Sequence, residues 1–373
     1  MNILLISTHL NVGGITTYLL GLCRYYLKKG HRVVLVTSGG VRADEFAQAG
    51  VILVTAAVRT KAELNPRIYC DVPRLLKVMR DHRIDIIHSH TRVTQFLGRV
   101  LGILSGVPYV STCHGFYKTH WFRKAFPCWG EAVVAISPPV REHLVNDFHT
   151  PEDRIFLVQN GVDVDSFTVV DEQIRRKARE KFQVPNDPVI GMVARLADVK
   201  GHSVLIDAMP LIVKEFPGVL LFIAGEGKME AQLKEQAARL GLNDHVKFAA
   251  VFNSSGEILS LFDVFVMPSI DEGFGLSGME AQAAGLPVAA SDVGGIPSFI
   301  FHERTGLLVP VKDPVALAAA ILRFLKDRPF AHQIGKQARE FIEKNFSSDI
   351  TAEKTLEMYA KVLSARAAGG PNS

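Results

Sequence analysis

The sequence predicts an α/β fold with two doubly wound parallel-sheet domains, and three observations support this. Short apolar runs alternate with helical patterns along the chain, as in parallel strands joined by crossover helices. A charged segment over residues 168–186 interrupts the alternation and carries no strand pattern. The length of 373 residues is long for one compact domain and suits two. We therefore expect domains at residues 1–170 and 187–345, followed by a helical segment at 346–367.

Strands are predicted where aliphatic and β-branched residues form short runs bounded by turn residues. Helices are predicted at residues 203–216 and 350–363. The first-half strands are expected at residues 3–7, 32–37, 86–88, 109–113, 132–136 and 155–158, and the second-half strands at 189–194, 220–224, 246–248, 264–267, 288–290 and 306–309.

Composition narrows the class of protein without deciding its function. With 48% hydrophobic and 21% charged residues, both domains can bury a sizeable core. No apolar run approaches the ~18–20 residues needed to span a bilayer. Residues 1–7 read as a strand, because they lack the basic start and cleavage site of a signal peptide. The four cysteines show no paired spacing, so we expect a cytoplasmic protein.

A glycine-rich turn between two glutamates predicts a nucleotide site. It follows an apolar strand, and Gly273 and Gly275 allow a sharp turn that exposes backbone N–H groups. With the positive end of a helix predicted to begin near Gly278, these groups suit a diphosphate. Glu280, one or two residues into that helix, can accept hydrogen bonds from two ribose hydroxyls, and Glu272 can meet the attached sugar. The alternative is an acidic loop before an ordinary first-turn glutamate.

Two cations leave the end of another predicted strand. Arg195 follows the strand at residues 189–194, and Lys200 precedes the helix at 203–216. Ligands bind at this edge of open α/β sheets, so both cations are expected to face the diphosphate. The alternative is a pair of solvated surface cations.

Several short motifs occur in a fixed order from near residue 13 to residue 309. Together they resemble the retaining glycosyltransferases of the GT-B fold, specifically family 4, the glycosyltransferase group 1 type. One departure concerns Ser277-Gly278-Met279, where many relatives have Pro and an apolar pair; Ser277 is expected to cap the helix or bond a phosphate oxygen. The motifs are residues 195–201, 224–227, 268–288, 291–297 and 305–309, with Gly13-Gly14, His114-Gly115, Ile136-Ser137 and residues 160–163 in the first half.

The resemblance implies two Rossmann-like domains facing across a cleft. The N-terminal domain would bind the acceptor, the C-terminal domain the nucleotide sugar, and the last helix would pack back on the N-terminal domain. A sugar would move from a nucleotide diphosphate sugar, with UDP sugars expected, to a hydroxyl acceptor with retention at the anomeric carbon. The catalytic residues implied are His114, Glu272, Arg195 and Lys200. The donor-binding residues implied are Gly14, Arg195, Lys200, Glu272, Gly273, Phe274, Gly275, Leu276, Ser277 and Glu280.

A basic aromatic segment predicts a second surface. The first 168 residues carry the excess of positive charge, and residues 114–126 combine aromatic side chains with cations. Such a mixture favours a bilayer surface or a lipid-linked envelope acceptor, with peripheral contact at the inner face of the cytoplasmic membrane. The alternative is a loop whose aromatics pack inward. Nucleic acid is disfavoured, because no binding motif is present. The residues expected at this surface are Tyr117, Lys118, Trp121, Arg123 and Lys124.

No metal and no cofactor are expected. Asp163-Val-Asp165 has the form of a metal-binding Asp-x-Asp, but we interpret it as a turn. The histidines and cysteines near residues 88–90 and 113–128 lack the spacing typical of zinc. Three alternatives to a transferase stay open: a nucleotide-sugar epimerase of the same fold, a phosphorylase, for which no pyridoxal phosphate lysine can be placed, and a non-catalytic nucleotide-sugar binding protein.

Overall fold

The computed structural model describes residues 1–60, 65–250 and 255–369. The chain forms two compact units. The first unit comprises Met1–Gly161 and the segment that begins at Ser348, and the second unit comprises Val162–Ser347.

The first unit is built on a 7-stranded parallel sheet. Its order is β3-β2-β1-β4-β5-β6-β7, so the chain runs outward from β1 in one direction and then continues on its other side. The strands are β1 (Asn2–Ile6), β2 (Arg32–Thr37), β3 (Ile52–Thr55), β4 (Ile86–Ser89), β5 (Tyr109–Cys113), β6 (Ala132–Ala135) and β7 (Ile155–Leu157). The helices are α1 (Gly14–Lys28), α2 (Ala43–Gln48), α3 (Pro66–Cys70), α4 (Val72–Asp81), α5 (Arg92–Ser105), α6 (Trp121–Ala125) and α7 (Pro138–Asn146).

The second unit repeats this topology in a 6-stranded parallel sheet, with the order β10-β9-β8-β11-β12-β13. The strands are β8 (Val189–Val193), β9 (Leu220–Ala224), β10 (Val246–Ala249), β11 (Val264–Met267), β12 (Val288–Ser291) and β13 (Leu307–Val309). The helices are α8 (Glu172–Phe182), α9 (His202–Glu215), α10 (Glu230–Arg239), α11 (Ser255–Leu259), α12 (Leu276–Ala283), α13 (Pro314–Lys326) and α14 (Arg328–Asn345).

The last helix, α15 (Ser348–Ala367), belongs to the first unit. Its buried residues Met358 and Tyr359 join the core that α1 forms on one face of the first sheet, where the Tyr359 ring lies 6.1 Å from the ring of Tyr26. The Thr351 hydroxyl donates to the carbonyl of Gln159 at 2.9 Å. Burial of these apolar side chains therefore holds α15 against the first unit, although most of the second unit precedes it in sequence.

The boundary between the units lies at Gly161, earlier than the residue 170 expected from the sequence. The Val162 N–H donates to the carbonyl of Phe346 at 2.9 Å, and the Val170 N–H donates to that of Ala284. These bonds tie residues 162–170 to the second unit. The charged segment after them contains α8, which packs on the same unit through Arg179.

Every predicted strand is present, and the predicted α/β class with two doubly wound parallel sheets is confirmed. The sequence prediction missed β3. This strand is a sheet edge, and its residues are half-buried or exposed rather than buried, so its apolar signal is short.

Candidate functional site

The predicted donor loops lie at the reversal point of the second sheet. The chain passes from β8 to β9 on one side and later returns to β11 on the other side of β8. The loops after β8 and β11 therefore begin at adjacent strand ends and lead in opposite directions along the sheet. Ligands of open α/β sheets bind at such a point, outside the carboxyl ends of the strands. Arg195 and Lys200 leave β8, and the glycine turn leaves β11.

These two loops are joined by backbone contacts. The Ile270 N–H donates to the carbonyl of Val199 at 2.8 Å. Gly201 has a left-handed backbone with φ of 72°, and a β-carbon there would lie 1.8 Å from the carbonyl oxygen of Pro268. Only glycine fits both requirements, so Gly201 allows the loops to touch.

The same two loops share an ion pair. The Lys200 Nζ lies 2.6 Å from Oε2 of Glu272, and the Ser269 hydroxyl is 3.3 Å from the same oxygen. Both charged side chains are mostly buried, with 24% and 13% of their side-chain surface exposed. The sequence assigned Lys200 and Glu272 separate roles, whereas the structure brings them into direct contact.

Arg195 is exposed on a braced loop. The N–H of Leu196 donates to the carbonyl of Glu226 at 2.9 Å, and a β-carbon at Gly227 would lie 2.2 Å from the carbonyl oxygen of Leu196. Within the described ranges Arg195 has no ion pair, so its guanidinium is not engaged by a carboxylate of those residues.

The backbone of the glycine turn is fixed by the loop after β12. A β-carbon at Gly294, whose φ is 56°, would lie 1.9 Å from the carbonyl oxygen of Glu272, and the Gly295 N–H donates to that oxygen at 3.0 Å. Phe274 is buried against Phe299, with ring centroids 5.5 Å apart, so its side chain anchors the turn. No role was assigned to Gly294 and Gly295 from the sequence, although both lie in the motif at residues 291–297.

The helix after the turn begins earlier than predicted. Gly275, with φ of 107°, is the residue before α12, and as a glycine it has no side chain to cap the helix. The predicted start near Gly278 and the predicted capping role of Ser277 are therefore wrong. Ser277 lies inside the helix with its hydroxyl 4.0 Å from the sulfur of Met267. Glu280 consequently lies in the second turn, and it is buried.

In the first unit, the glycine pair lies at an open helix end. Gly13 and Gly14 are exposed at the N-terminus of α1, and a β-carbon at Gly13 would meet no described residue within 4 Å. The loop before them is braced, because the Leu10 N–H donates to the carbonyl of Gly39 at 2.9 Å. The free backbone N–H groups of this end favour a negative group.

Three histidines cluster at the carboxyl ends of β4 and β5. His114 is half-buried after β5, and its Nε2 lies 3.3 Å from Nδ1 of His90, which is fully buried. His88 lies 2.5 Å from the hydroxyl of Tyr359 through Nδ1 and 2.7 Å from that of Thr112 through Nε2. The prediction singled out His114, but gave His90 no role beside it.

Burial keeps these imidazoles neutral. Desolvation lowers the pKa of His88 to about 3 and that of His114 well below the ordinary histidine value. The pKa of His90 is lowered well below that value by burial and then by its two histidine neighbours. At neutral pH each ring therefore carries one N–H donor and one acceptor nitrogen.

The basic aromatic segment has a buried side and an exposed side. Tyr117 is half-buried, with its ring stacked on that of Trp129 at 5.8 Å and under the Arg123 guanidinium at 4.4 Å. Trp121 is 79% exposed, and Lys118 and Lys124 of the same segment are also exposed. Lys118, His120, Phe122 and Arg123 line a cleft of about 350 Å³.

Within residues 1–60, 65–250 and 255–369, no group of three or more His, Cys, Asp or Glu side chains could hold a metal ion. The Asp163–Asp165 segment forms a turn, in which the Ser166 N–H donates to the carbonyl of Asp163. Across the same described ranges, no helix is both long and apolar enough to cross a bilayer.

Two family models match the chain, one on each half. Residues 12–166 match the model described as glycosyltransferase family 4, and residues 174–341 match the model described as glycosyl transferases group 1.

Individual proteins match nearly the whole chain. An uncharacterized glycosyltransferase of Methanocaldococcus jannaschii is 28% identical, with 93% of this chain and 94% of that protein aligned. The alpha-maltose-1-phosphate synthase of Mycolicibacterium smegmatis is 30% identical over 74% of this chain and 79% of that protein. The Anabaena protein HepE, solved with UDP and glucose, has a TM-score of 0.85 at 20% identity, covering 97% of this chain and 100% of that chain. This last likeness concerns the fold alone, and it agrees with the predicted GT-B class.

Proposed function

The chain belongs to the group 1 glycosyltransferases, and we propose that it moves a hexosyl group from a nucleotide diphosphate sugar to a hydroxyl acceptor with retention at the anomeric carbon. One observation carries the proposal. Lys200 and Glu272, on loops far apart in sequence, form an ion pair at the reversal point of the second sheet, where open α/β sheets bind ligands. Arg195 lies on the same loop as Lys200, and Glu280 lies in α12, the helix that follows the loop of Glu272.

The leaving group would be the nucleoside diphosphate. Breaking the glycosidic bond builds negative charge on the diphosphate, which fixed cations and backbone N–H groups stabilise. We assign Arg195 to this charge because its exposed guanidinium can bond two phosphate oxygens. Lys200 reaches the same edge while it neutralises Glu272 at 2.6 Å. The turn at Gly273 and Gly275 would add N–H donors.

The nucleoside and sugar would be held by the two glutamates. Glu280 supplies a carboxylate for the two ribose hydroxyls, and Glu272 supplies one for the transferred sugar or its developing positive charge. We further assign His114 of the first unit to the substrate, as a neutral hydrogen-bonding group. The acceptor hydroxyl would attack the anomeric carbon from the same face of the sugar as the one from which the diphosphate leaves. An oxygen of the leaving phosphate would take the proton of that hydroxyl.

The first experiment measures binding and slow hydrolysis of a panel of nucleotide sugars, starting with UDP sugars. Glu280→Gln should lose binding of the selected donor. A carboxylate can accept one ribose hydroxyl with each of its two oxygens, whereas the NH2 group of the amide can only donate. Glu235→Gln on the exposed surface of α10 is the matched control and should bind as the native chain does. Failure of every donor to bind would refute the assigned ribose and diphosphate roles.

The same panel separates the alternatives. Conversion of one donor into another sugar nucleotide without acceptor would indicate an epimerase, and binding without any turnover would indicate a binding protein. Arg195→Ala and Lys200→Ala should each lower transfer at saturating donor by roughly 10²-fold or more, the scale of losing one stabiliser of transition-state charge. Near-native rates in both would contradict the mechanism.

For the acceptor side we propose contact with an anionic bilayer that carries a lipid-linked acceptor. Exposed Trp121 with Lys118 and Lys124 offers an aromatic ring and cations on one segment, a combination suited to a headgroup region. The aromatic side is anchored, because the Phe122 ring stacks on that of Phe96 at 6.0 Å, which leaves Trp121 outward.

The chain supplies its own reporter for this contact. It has two tryptophans, and Trp129 is buried, so a fluorescence change on adding vesicles reports Trp121. We expect a blue shift with phosphatidylglycerol vesicles, weakened by salt, and none with phosphatidylcholine vesicles. Trp121→Ser should lose co-sedimentation, whereas Phe301→Ser, at a half-exposed aromatic of the second unit, should retain it. Equal sedimentation of both variants would rule out this surface.

A further inference from the structure

The histidine pair at the carboxyl ends of β4 and β5 shares a single hydrogen bond. Nδ1 of His90 lies 3.3 Å from Nε2 of His114. Both rings are neutral, so one of the two nitrogens carries the proton and the other accepts it. The tautomer of His90 therefore determines the tautomer of His114.

The other nitrogen of His90 indicates which arrangement is present. Its Nε2 is buried and has no hydrogen-bond partner among the described residues. A buried N–H without an acceptor is rarer in proteins than an acceptor without a donor, and it loses the full desolvation free energy of the donor. The arrangement that leaves a bare lone pair at Nε2 is therefore favoured, which puts the His90 proton on Nδ1.

We infer that His90 is a positioning residue, which donates from Nδ1 to Nε2 of His114 and thereby fixes His114 as the tautomer with its proton on Nδ1. His114 then presents a hydrogen-bond donor from its half-buried ring, and its Nε2 is occupied. The tautomer itself does not depend on the proposed function, but its consequence for catalysis does. That consequence is that His114 donates to a substrate oxygen and does not act as a general base through Nε2.

The surroundings hold His90 in place. Its backbone N–H donates to the carbonyl of Ile6 at 3.0 Å, and its ring lies 4.1 Å from the ring of His88. His88 is itself bonded on both nitrogens, to Tyr359 and Thr112. The Tyr18 ring meets His114 edge-on at 5.0 Å. Because packing restricts both rings, the 3.3 Å contact is a fixed feature of the first unit.

The test is the nitrogen-15 NMR spectrum of the histidines in the free protein at neutral pH, which distinguishes protonated from bare ring nitrogens. The native chain should show His114 with its proton on Nδ1. His90→Asn keeps an amide donor near the Nδ1 position and should keep that tautomer, whereas His90→Leu should populate both. His82→Leu, at a half-exposed histidine of the first unit, is the control and should leave the signal unchanged.

Two results would overturn the inference: a proton on Nε2 of His114 in the native chain, or an unchanged tautomer in His90→Leu. If His90→Leu does not fold, the native spectrum and His90→Asn still decide. The measurement needs no nucleotide sugar, so a chain that binds no donor would refute the proposed function and leave the tautomer result standing. In an active chain, His90→Leu should lower kcat by about tenfold or more with little change in KM, and His90→Asn should restore most of it.

Discussion

Gly201 offers the sharpest test of how the two donor loops are joined. Replacing it with alanine adds a β-carbon at φ of 72°, where L residues are strained, and puts that carbon 1.8 Å from the carbonyl oxygen of Pro268. Gly241 provides a matched control in the same unit: its φ is 70°, and a β-carbon there would come within 4 Å of none of the residues that the structure describes. The two variants therefore share the backbone strain and differ in the clash.

The magnitudes follow from these two terms. Left-handed backbone costs a non-glycine residue about 1–2 kcal/mol, which is the expected loss for Gly241→Ala. Gly201→Ala pays the same strain and must also displace the loop at Pro268, for roughly 1–3 kcal/mol more. We expect a correspondingly lower urea midpoint for Gly201→Ala than for Gly241→Ala, and weaker donor binding in Gly201→Ala only.

The assay is urea unfolding followed by far-ultraviolet circular dichroism, because both tryptophans lie in the first unit and report that unit alone. Dichroism covers the second unit as well. Midpoints can be compared where the slope with urea is unchanged. Equal midpoints for the two variants would refute the tight contact at Pro268, and native donor binding in Gly201→Ala would refute its link to the site.

Further predictions concern charge and metal dependence. Arg179→Ala should destabilise the second unit by about 3–5 kcal/mol, because it leaves the buried Asp263 carboxylate short of a partner; thermal unfolding measures this. Burial raises the pKa of Asp263, but its arginines and the Val189 N–H outweigh burial and lower it below 3.8, so this stabilisation is complete above that pH and is lost as the pH falls through the lowered pKa. Chelation with EDTA should leave transfer unchanged; a loss restored by Mg²⁺ would contradict a metal-independent reaction. Lys200→Ala alone should weaken donor binding more than Lys200→Ala combined with Glu272→Gln does.

Much of this architecture was predictable because parallel strands are buried on both faces and give continuous apolar runs. Because ligands of open α/β sheets bind outside the carboxyl ends of the strands, the sequence also predicted that the loops at Arg195 and Glu272 lie at one sheet edge. The start of α12 was not predictable, since both Gly275 and Gly278 could have ended the turn and only the structure shows which has positive φ. The contact between His90 and His114 also needed coordinates, because strand order fixes neighbouring ends but not ring orientations.

The pair formed by Lys200 and Glu272 shows why residue roles cannot be assigned one at a time. Removing Lys200 takes a cation from the proposed diphosphate site and also leaves a mostly buried carboxylate unpaired beside it. That carboxylate would repel the donor and carry its own desolvation cost. If neutralising Glu272 is part of the role of Lys200, Glu272→Gln should recover some donor binding in the Lys200→Ala background. A double-mutant cycle measures the coupling. Losses that simply add would mean that each side chain acts on the donor independently, despite the 2.6 Å contact.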